Sequence, residues 1–143
     1  MKLTPKTPWH LWVVGVLSLL WNLGGVVSYT STKFGVLTAD RFPAEQLDYY
    51  YSFPAWATAF WALGVWGCFL GSLALLLRSR KATLLYVVSI VGLIGTTVYQ
   101  WGLSSMPASL QTSGHMLFAV AIWLITIALY LYARSMAAKN VLR

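Results

Sequence analysis

A chain of 143 residues with a formal net charge of +7 has only 9% charged residues and 59% apolar residues. A soluble domain carries about 25% charged residues, so this composition excludes an exterior that faces water throughout and predicts one that largely faces lipid. The length fits one compact bundle over residues 1–143, and cations grouped between apolar stretches favour anionic lipid headgroups over nucleic acid as the partner.

Four apolar stretches follow one another along the chain, at residues 9–29, 54–77, 82–103 and 115–132. Each is close to the ~20 residues that cross ~30 Å of hydrocarbon, and none contains Asp, Glu, Lys or Arg. Backbone groups in lipid must form hydrogen bonds within their own segment, so we predict that all four are helices. The expected fold class is an all-α membrane protein, a four-transmembrane-helix bundle that forms a single transmembrane domain.

The distribution of lysine and arginine predicts how this bundle is oriented. Lys33 and Arg41 follow the first stretch, whereas the other eight cations share the opposite side: Lys2, Lys6, Arg78, Arg80, Lys81, Arg134, Lys139 and Arg143. Cytoplasmic loops carry an excess of Lys and Arg. We therefore expect both termini and the turn at residues 78–81 in the cytoplasm, and residues 30–53 and 104–114 outside.

The first outer loop, residues 30–53, is the longest segment between two apolar stretches. It contains all three acidic residues of the chain, which are Asp40, Glu45 and Asp48. Pro43 followed by Glu45 is typical of a helix start, with proline in the first turn and an acid near the positive end of the helix dipole. We predict a short interfacial helix over residues 43–51.

Small and polar residues recur within each apolar stretch at spacings that place them on one helix face. Such stripes are typical of close helix contacts in membranes. The predicted helix-contact face comprises Gly15, Ser18, Gly25, Gly64, Gly67, Gly71, Gly92 and Thr96. We expect leucine at Gly64 or Gly71 to disturb the bundle more than truncation of Leu75 to alanine.

Asn22 lies near the middle of the first stretch, where an amide without a partner would be costly. One interpretation is a structural hydrogen bond to another helix. The other is a polar recess that opens to the outer side beneath the short helix. The predicted recess comprises Asn22, Tyr29, Asp48, Tyr99, Gln100 and His115. The alternative for the outermost of these groups is separate hydration by interfacial water.

No combination of residues predicts a catalytic, cofactor-binding or metal-ligating site. His10 and His115 stand at opposite ends of the bundle, which excludes a haem held between two histidines at one depth. Cys68 is the only cysteine, so thiol pairs are excluded, and the apolar stretches contain no acidic residue. We expect no cofactor, no metal and no enzymatic activity.

Several short motifs resemble those of a family of small four-helix bacterial inner-membrane proteins. They are LWNLGG at residues 20–25, YYYSFPAW at 49–56, LGVWG at 63–67 and GSL at 71–73. With the layout of the helices, the similarity spans most of the chain. The family is largely uncharacterised and its members are sometimes labelled sugar transporter. The resemblance implies a multi-pass protein of the bacterial inner membrane and no catalytic residues.

Two functions follow as expectations. The first is a non-enzymatic membrane protein that acts through helix–helix contacts, as an accessory subunit of a membrane complex or as a self-associating homo-oligomer. The alternative is a small oligomeric carrier of a neutral solute such as a sugar, because sugar sites combine aromatic rings with amide side chains. The residues suited to that site are Trp21, Asn22, Tyr99, Gln100 and Trp101.

Overall fold

The computed structural model describes residues 5–36 and 42–143. The described residues are mostly helical and contain no β-strand. The α-helices are α1 (Trp9–Lys33), α2 (Ala44–Tyr51), α3 (Ala55–Leu76), α4 (Lys81–Val98) and α5 (Ser113–Ala138). Two short elements lie between α4 and α5, a π-helical segment at Tyr99–Leu103 and a 3₁₀ turn at Ala108–Leu110.

Four helices in the described part of the chain are long and apolar enough to cross a membrane. They are α1, α3, α4 with its π-helical extension, and α5. Only a minority of their residues is buried inside the bundle, and large exposed apolar residues occur on all four. We call the end that holds residues 77–81 the inner end and the end that holds residues 103–112 the outer end.

The helices extend beyond the predicted apolar stretches at two places. The first continues to Lys33 and the last runs from Ser113 to Ala138, so that Arg134 is helical. Hydropathy marks only the part that suits hydrocarbon, whereas backbone hydrogen bonds propagate a helix further into the polar interface. The last five residues of the predicted third stretch, Tyr99–Leu103, form the π-helical segment rather than α-helix.

The short helix expected in the first outer loop is present as α2. Pro43 precedes its first residue, and Glu45 lies in its first turn. Its buried side chains, Leu47 and Tyr49, face the bundle. Asp40 lies outside the described residues.

The helices pack in the order α1, α3, α4, α5, with α3 between α1 and α4. The α1 and α5 helices meet through long side chains at two levels. The rings of Trp21 and Phe118 lie 5.8 Å apart, and His10 Nδ1 forms a hydrogen bond of 2.5 Å with the Tyr132 hydroxyl. The core near the inner end comprises Leu11, Cys68, Ala74, Leu75, Ala82, Tyr86, Leu129, Ala133, Met136, Val141 and Leu142.

Small residues bring the backbones of α3 and α4 close together. A Cβ atom on Gly67 would lie 2.9 Å from the Ser89 backbone nitrogen, and one on Gly71 would lie 2.8 Å from the Tyr86 ring. Gly64 and Gly92 face each other in the same contact. These predicted contact residues therefore lie inside the bundle, and the close approach requires the absence of a side chain at Gly67, Gly71 and Gly92.

The other predicted contact residues, three on α1 and Thr96 on α4, differ from one another in their surroundings. A Cβ atom on Gly25 would lie 4.0 Å from Val65, whereas one on Gly15 would overlap Leu76. The hydroxyls of Ser18 and Thr96 donate to carbonyls of their own helices. Leu75→Ala was expected to disturb the bundle less than leucine at Gly64 or Gly71. Leu75 is fully buried, so its truncation cannot serve as a mild control for the glycine substitutions.

The last four residues fold back under the inner end of the bundle. Asn140 has a positive φ of 56° and reverses the chain after α5. Val141 and Leu142 are then 6% and 1% exposed. The Arg143 backbone N–H donates to the Arg78 carbonyl at 2.7 Å, and the Arg143 carbonyl accepts from the Arg80 N–H at 2.9 Å. Residues 140–143, the C-terminal segment, are thus joined to the α3–α4 turn.

Candidate functional site

An open recess of about 360 Å³ lies at the outer end of the bundle. It is formed by the π-helical segment and the loop that follows it. None of its lining residues is charged, and they are Gln100, Trp101, Ser104, Ser105, Met106 and Gln111. We call this the outer recess.

The π-helical segment determines which side chains face the outer recess. The Ser104 N–H donates to the Tyr99 carbonyl at 2.9 Å, five residues back, and the Ser104 hydroxyl donates to the Gln100 carbonyl at 3.1 Å. A π-helical turn holds one residue more than an α-helical turn, so the side chains after it are rotated relative to α4. Such insertions are frequent at functional sites.

The outer recess offers neutral hydrogen-bonding groups beside an indole ring. Gln111 Nε2 donates to the Met106 carbonyl at 2.6 Å, which fixes the amide and leaves its oxygen as an acceptor. The Gln100 side-chain amide makes no hydrogen bond to any residue that the structure describes. Trp101 is 44% exposed. The recess can therefore both donate to and accept from a polar ligand next to a flat apolar surface.

Helix α2 is attached to the segment that forms the outer recess. The Tyr49 hydroxyl and Ser104 Oγ are hydrogen-bonded at 2.7 Å, and Ser109 Oγ donates to Glu45 Oε2 at 3.3 Å. Burial raises the pKa of the Tyr49 hydroxyl, so this group keeps its proton at neutral pH. These two hydrogen bonds join α2 to the loop between α4 and α5 at the outer end of the bundle.

A cluster of aromatic rings fills the space beneath α2. Trp61 lies at its centre, with ring distances of 5.0 Å to Tyr29, 5.6 Å to Tyr50 and 5.7 Å to Phe53. The Tyr99 ring packs edge-on against Phe53 at 4.8 Å. Tyr29 and Tyr99, both expected in a polar recess, therefore pack against other aromatic rings.

Asn22 is bonded deep within the bundle rather than at the outer end. Its Nδ2 donates to the Cys68 carbonyl at 3.2 Å and to Ser72 Oγ at 2.9 Å. Ser72 Oγ is in turn hydrogen-bonded to the Tyr86 hydroxyl at 2.9 Å. Cys68 lies 13 residues after the start of α3 at Ala55, which is roughly 20 Å along the helix from the outer end.

The structure thus separates the residues that the sequence grouped in one recess. Gln100 lines the outer recess, whereas Asn22 forms a structural bond between α1 and α3 and does not contribute to it. Asp48 is exposed on α2, and His115 lies in the first turn of α5, where its backbone N–H donates to Thr112 Oγ1 at 3.2 Å. The buried Asn22 amide bonds to the nearest polar groups, which are the Cys68 carbonyl oxygen and Ser72 Oγ on α3.

Most residues of the outer recess could not be predicted from the sequence. Ser104, Ser105 and Gln111 lie in a segment that shows only the composition of a loop. The signal available was the pair of amides, Gln100 and Gln111, on either side of Pro107, which keeps the chain from continuing as a helix.

We expect Asn22→Leu to lower the stability of the protein without changing the outer recess. The substitution removes two hydrogen bonds and leaves Ser72 with one partner fewer, so a loss on the order of 1 kcal/mol is expected. Thermal unfolding in mild detergent measures it. Thr30→Val is the matched control, because the Thr30 hydroxyl donates only to the Val26 carbonyl of its own helix. Equal unfolding temperatures for the two variants would contradict the assignment.

Comparisons with models of protein families, with curated protein sequences and with solved structures give no match. Within residues 5–36 and 42–143, no three His, Cys, Asp or Glu side chains lie close enough together to hold a metal ion.

Proposed function

We propose that the protein is a multi-pass protein of a bacterial inner membrane with both termini in the cytoplasm. Four apolar helices support the multi-pass arrangement. The orientation is supported by the cations, since eight of ten lie before α1, at residues 78–81 or from Arg134 onward. The resemblance to small inner-membrane proteins supports the choice of membrane.

Cysteine labelling tests this topology. Ala108→Cys and Ala138→Cys, each in a Cys68→Ala background, place single exposed thiols at the outer and inner ends. A membrane-impermeant maleimide added to whole cells should label residue 108 and should reach residue 138 only after the cells are opened. The reverse pattern would contradict the proposed orientation.

We further propose that the protein is non-enzymatic and binds a small neutral, hydroxylated solute such as a sugar in the outer recess. The observation that supports this most is the lining, which combines two glutamines and two serines with an exposed tryptophan and no charge. Amide groups donate to and accept from hydroxyls, and an indole face packs against the apolar face of a sugar ring.

Binding of a solute in the outer recess and its transport through the bundle are separate steps. Tyr86 and Leu75 are fully buried between the outer recess and the inner end. Passage of a solute through the bundle therefore requires helices to move apart. A binding measurement tests the recess without requiring that movement.

We expect neutral sugars and polyols to raise the unfolding temperature of the purified protein, and sugar phosphates to have no such effect. A ligand that binds only the folded state stabilises it by about 2.7 kcal/mol at a concentration of 100 times its Kd. Trp101→Leu and Gln100→Leu should abolish the shift. Trp12→Leu, which changes an exposed indole at the inner end, should retain it. Loss of the shift in all three variants, or its absence in the unmodified protein, would contradict the proposal.

An accessory or self-associating subunit is the second candidate function. The glycines of α3 contact α4 inside the bundle. Gly24 on α1 contacts no other helix, because a Cβ atom there would meet nothing within 4 Å. It lies on an exposed apolar face with Leu17, Leu20 and Val27. Purification in mild detergent separates the two functions. Stoichiometric partners, or a homo-oligomer dissociated by Gly24→Leu, together with no response to solutes, would favour the subunit.

A further inference from the structure

The inner end of the bundle is a single surface built from three separate parts of the chain. Arg78 Nη1 donates to Thr7 Oγ1 at 2.9 Å, which joins the α3–α4 turn to the segment before α1. Arg80 Nη2 donates to Asn140 Oδ1 at 2.8 Å, which joins the same turn to the C-terminal segment. The cations at this inner basic surface are Lys6, Arg78, Arg80, Lys81, Lys139 and Arg143.

Among the residues that the structure describes, no acidic side chain balances the positive charge of this surface. The two described acids, Glu45 and Asp48, both lie on α2 at the opposite end. The side-chain hydrogen bonds of Arg78 and Arg80 go to a hydroxyl, an amide and a carbonyl, all of them neutral. Lys81, Lys139 and Arg143 are exposed. An anion at this surface would therefore meet several cationic side chains, none of them paired with an acidic side chain of the described residues.

Exposed apolar side chains next to the cations indicate what kind of anion fits. Leu77, just before the α3–α4 turn, is 72% exposed, and Trp9, at the start of α1, is 75% exposed. A nucleic acid or a free phosphate would leave these side chains in water. A molecule with an anionic headgroup and an apolar tail would cover both kinds of surface.

We propose that the inner basic surface binds the phosphate groups of anionic phospholipids, with the acyl chains along Leu77 and Trp9. The inference rests on the membrane location proposed above and is independent of solute binding in the outer recess. Cations near a membrane surface each strengthen the attraction to anionic lipid by about fivefold. Removing three of them should weaken binding by roughly a hundredfold if their effects add.

Native mass spectrometry of the detergent-solubilised protein with equal amounts of phosphatidylglycerol and phosphatidylcholine tests this proposal. The unmodified protein should retain phosphatidylglycerol in clear excess. Lys81→Gln/Lys139→Gln/Arg143→Gln should lose that excess, because these exposed side chains can be changed without disturbing the hydrogen bonds of Arg78 and Arg80. The charge-conserving variant Lys81→Arg/Lys139→Arg/Arg143→Lys should keep it.

Equal retention of the two lipids by the unmodified protein, or an undiminished excess in the glutamine variant, would overturn the proposal. So would full competition by millimolar inorganic phosphate, because the headgroup alone would then account for binding. Failure to remain folded in phosphatidylcholine nanodiscs would instead count against the membrane location. Normal folding there, with no preference for phosphatidylglycerol, would count against the lipid site alone.

Discussion

Gly92→Ala is expected to destabilise the protein far more than Gly64→Ala, although the two glycines face each other in one contact. A Cβ atom on Gly92 would overlap the backbone of Gly64 and the Phe60 carbonyl. A Cβ atom on Gly64 would lie 3.5 Å from the Leu93 nitrogen, which is an ordinary contact distance. Backbone atoms cannot rotate away, so α3 and α4 would have to separate. We expect a loss of about 3 kcal/mol for Gly92→Ala, the upper part of the usual range for overpacking.

Thermal unfolding in one detergent measures both variants under the same conditions. Alanine has a higher helix propensity than glycine, so Gly64→Ala should change the unfolding temperature little or raise it slightly. The facing pair provides its own control, because both substitutions add one methyl group to the same helix contact. Similar unfolding temperatures for the two variants would show that α3 and α4 do not approach as closely as described.

Leu142→Ala should produce the second large effect, because the C-terminal segment is part of the core. Leu142 is 1% exposed and packs in the same cluster as Leu75 and Met136. Truncation of a buried leucine to alanine costs about 2–5 kcal/mol in well-packed cores, and an end of the bundle should lie at the lower limit. We therefore expect a loss of about 2 kcal/mol.

Leu77→Ala is the matched control for Leu142→Ala. It removes the same atoms at the same end of the bundle from a side chain that is 72% exposed. Thermal unfolding should separate the two variants clearly, and only Leu142→Ala should make the last residues accessible to carboxypeptidase. Protection of the C-terminal segment in both variants would mean that Leu142 does not hold it in place.

The four long apolar helices were predictable because a run of about 20 apolar residues without a charge favours a helix that can cross a membrane. Four stretches without a charged residue could be placed, and Pro43 with Glu45 marked the start of α2. The exact helix ends depend on local hydrogen bonds in the interface. Extension of α1 to Lys33 and of α5 to Ala138 left no signal in hydropathy.

The polar sites were less predictable. The spacing of residues shows which of them share a helix face, but it does not show which residues of another helix they contact. The spacing of Asn22 and Tyr29 placed them on one side of α1, but their partners differ. Asn22 bonds to Ser72, whereas Tyr29 packs against Trp61. The outer recess depends on the π-helical segment that contains Gln100. One additional residue in a helical turn produces no recognisable pattern in the sequence.

The helix contacts, too, could be predicted only in part from the spacing of residues. The spacing of Gly64, Gly67 and Gly71 indicated a close approach, but only the structure distinguishes Gly64, which has room for a methyl group, from Gly67, which does not. Leu75 has the same apolar surroundings in sequence as the exposed Leu73. The rotation of α3 about its axis determines which of them is buried, and packing against α1 and α4 sets that rotation.

The hydrogen bonds of Asn22 also constrain the order in which the chain can assemble as it is synthesised. Ser72 lies 50 residues after Asn22, and Tyr86, which bonds to Ser72, lies a further 14 residues along. When α1 first emerges from the ribosome, neither residue has yet been made. The Asn22 amide must therefore be hydrated or bonded to other groups until α3 and α4 have been made.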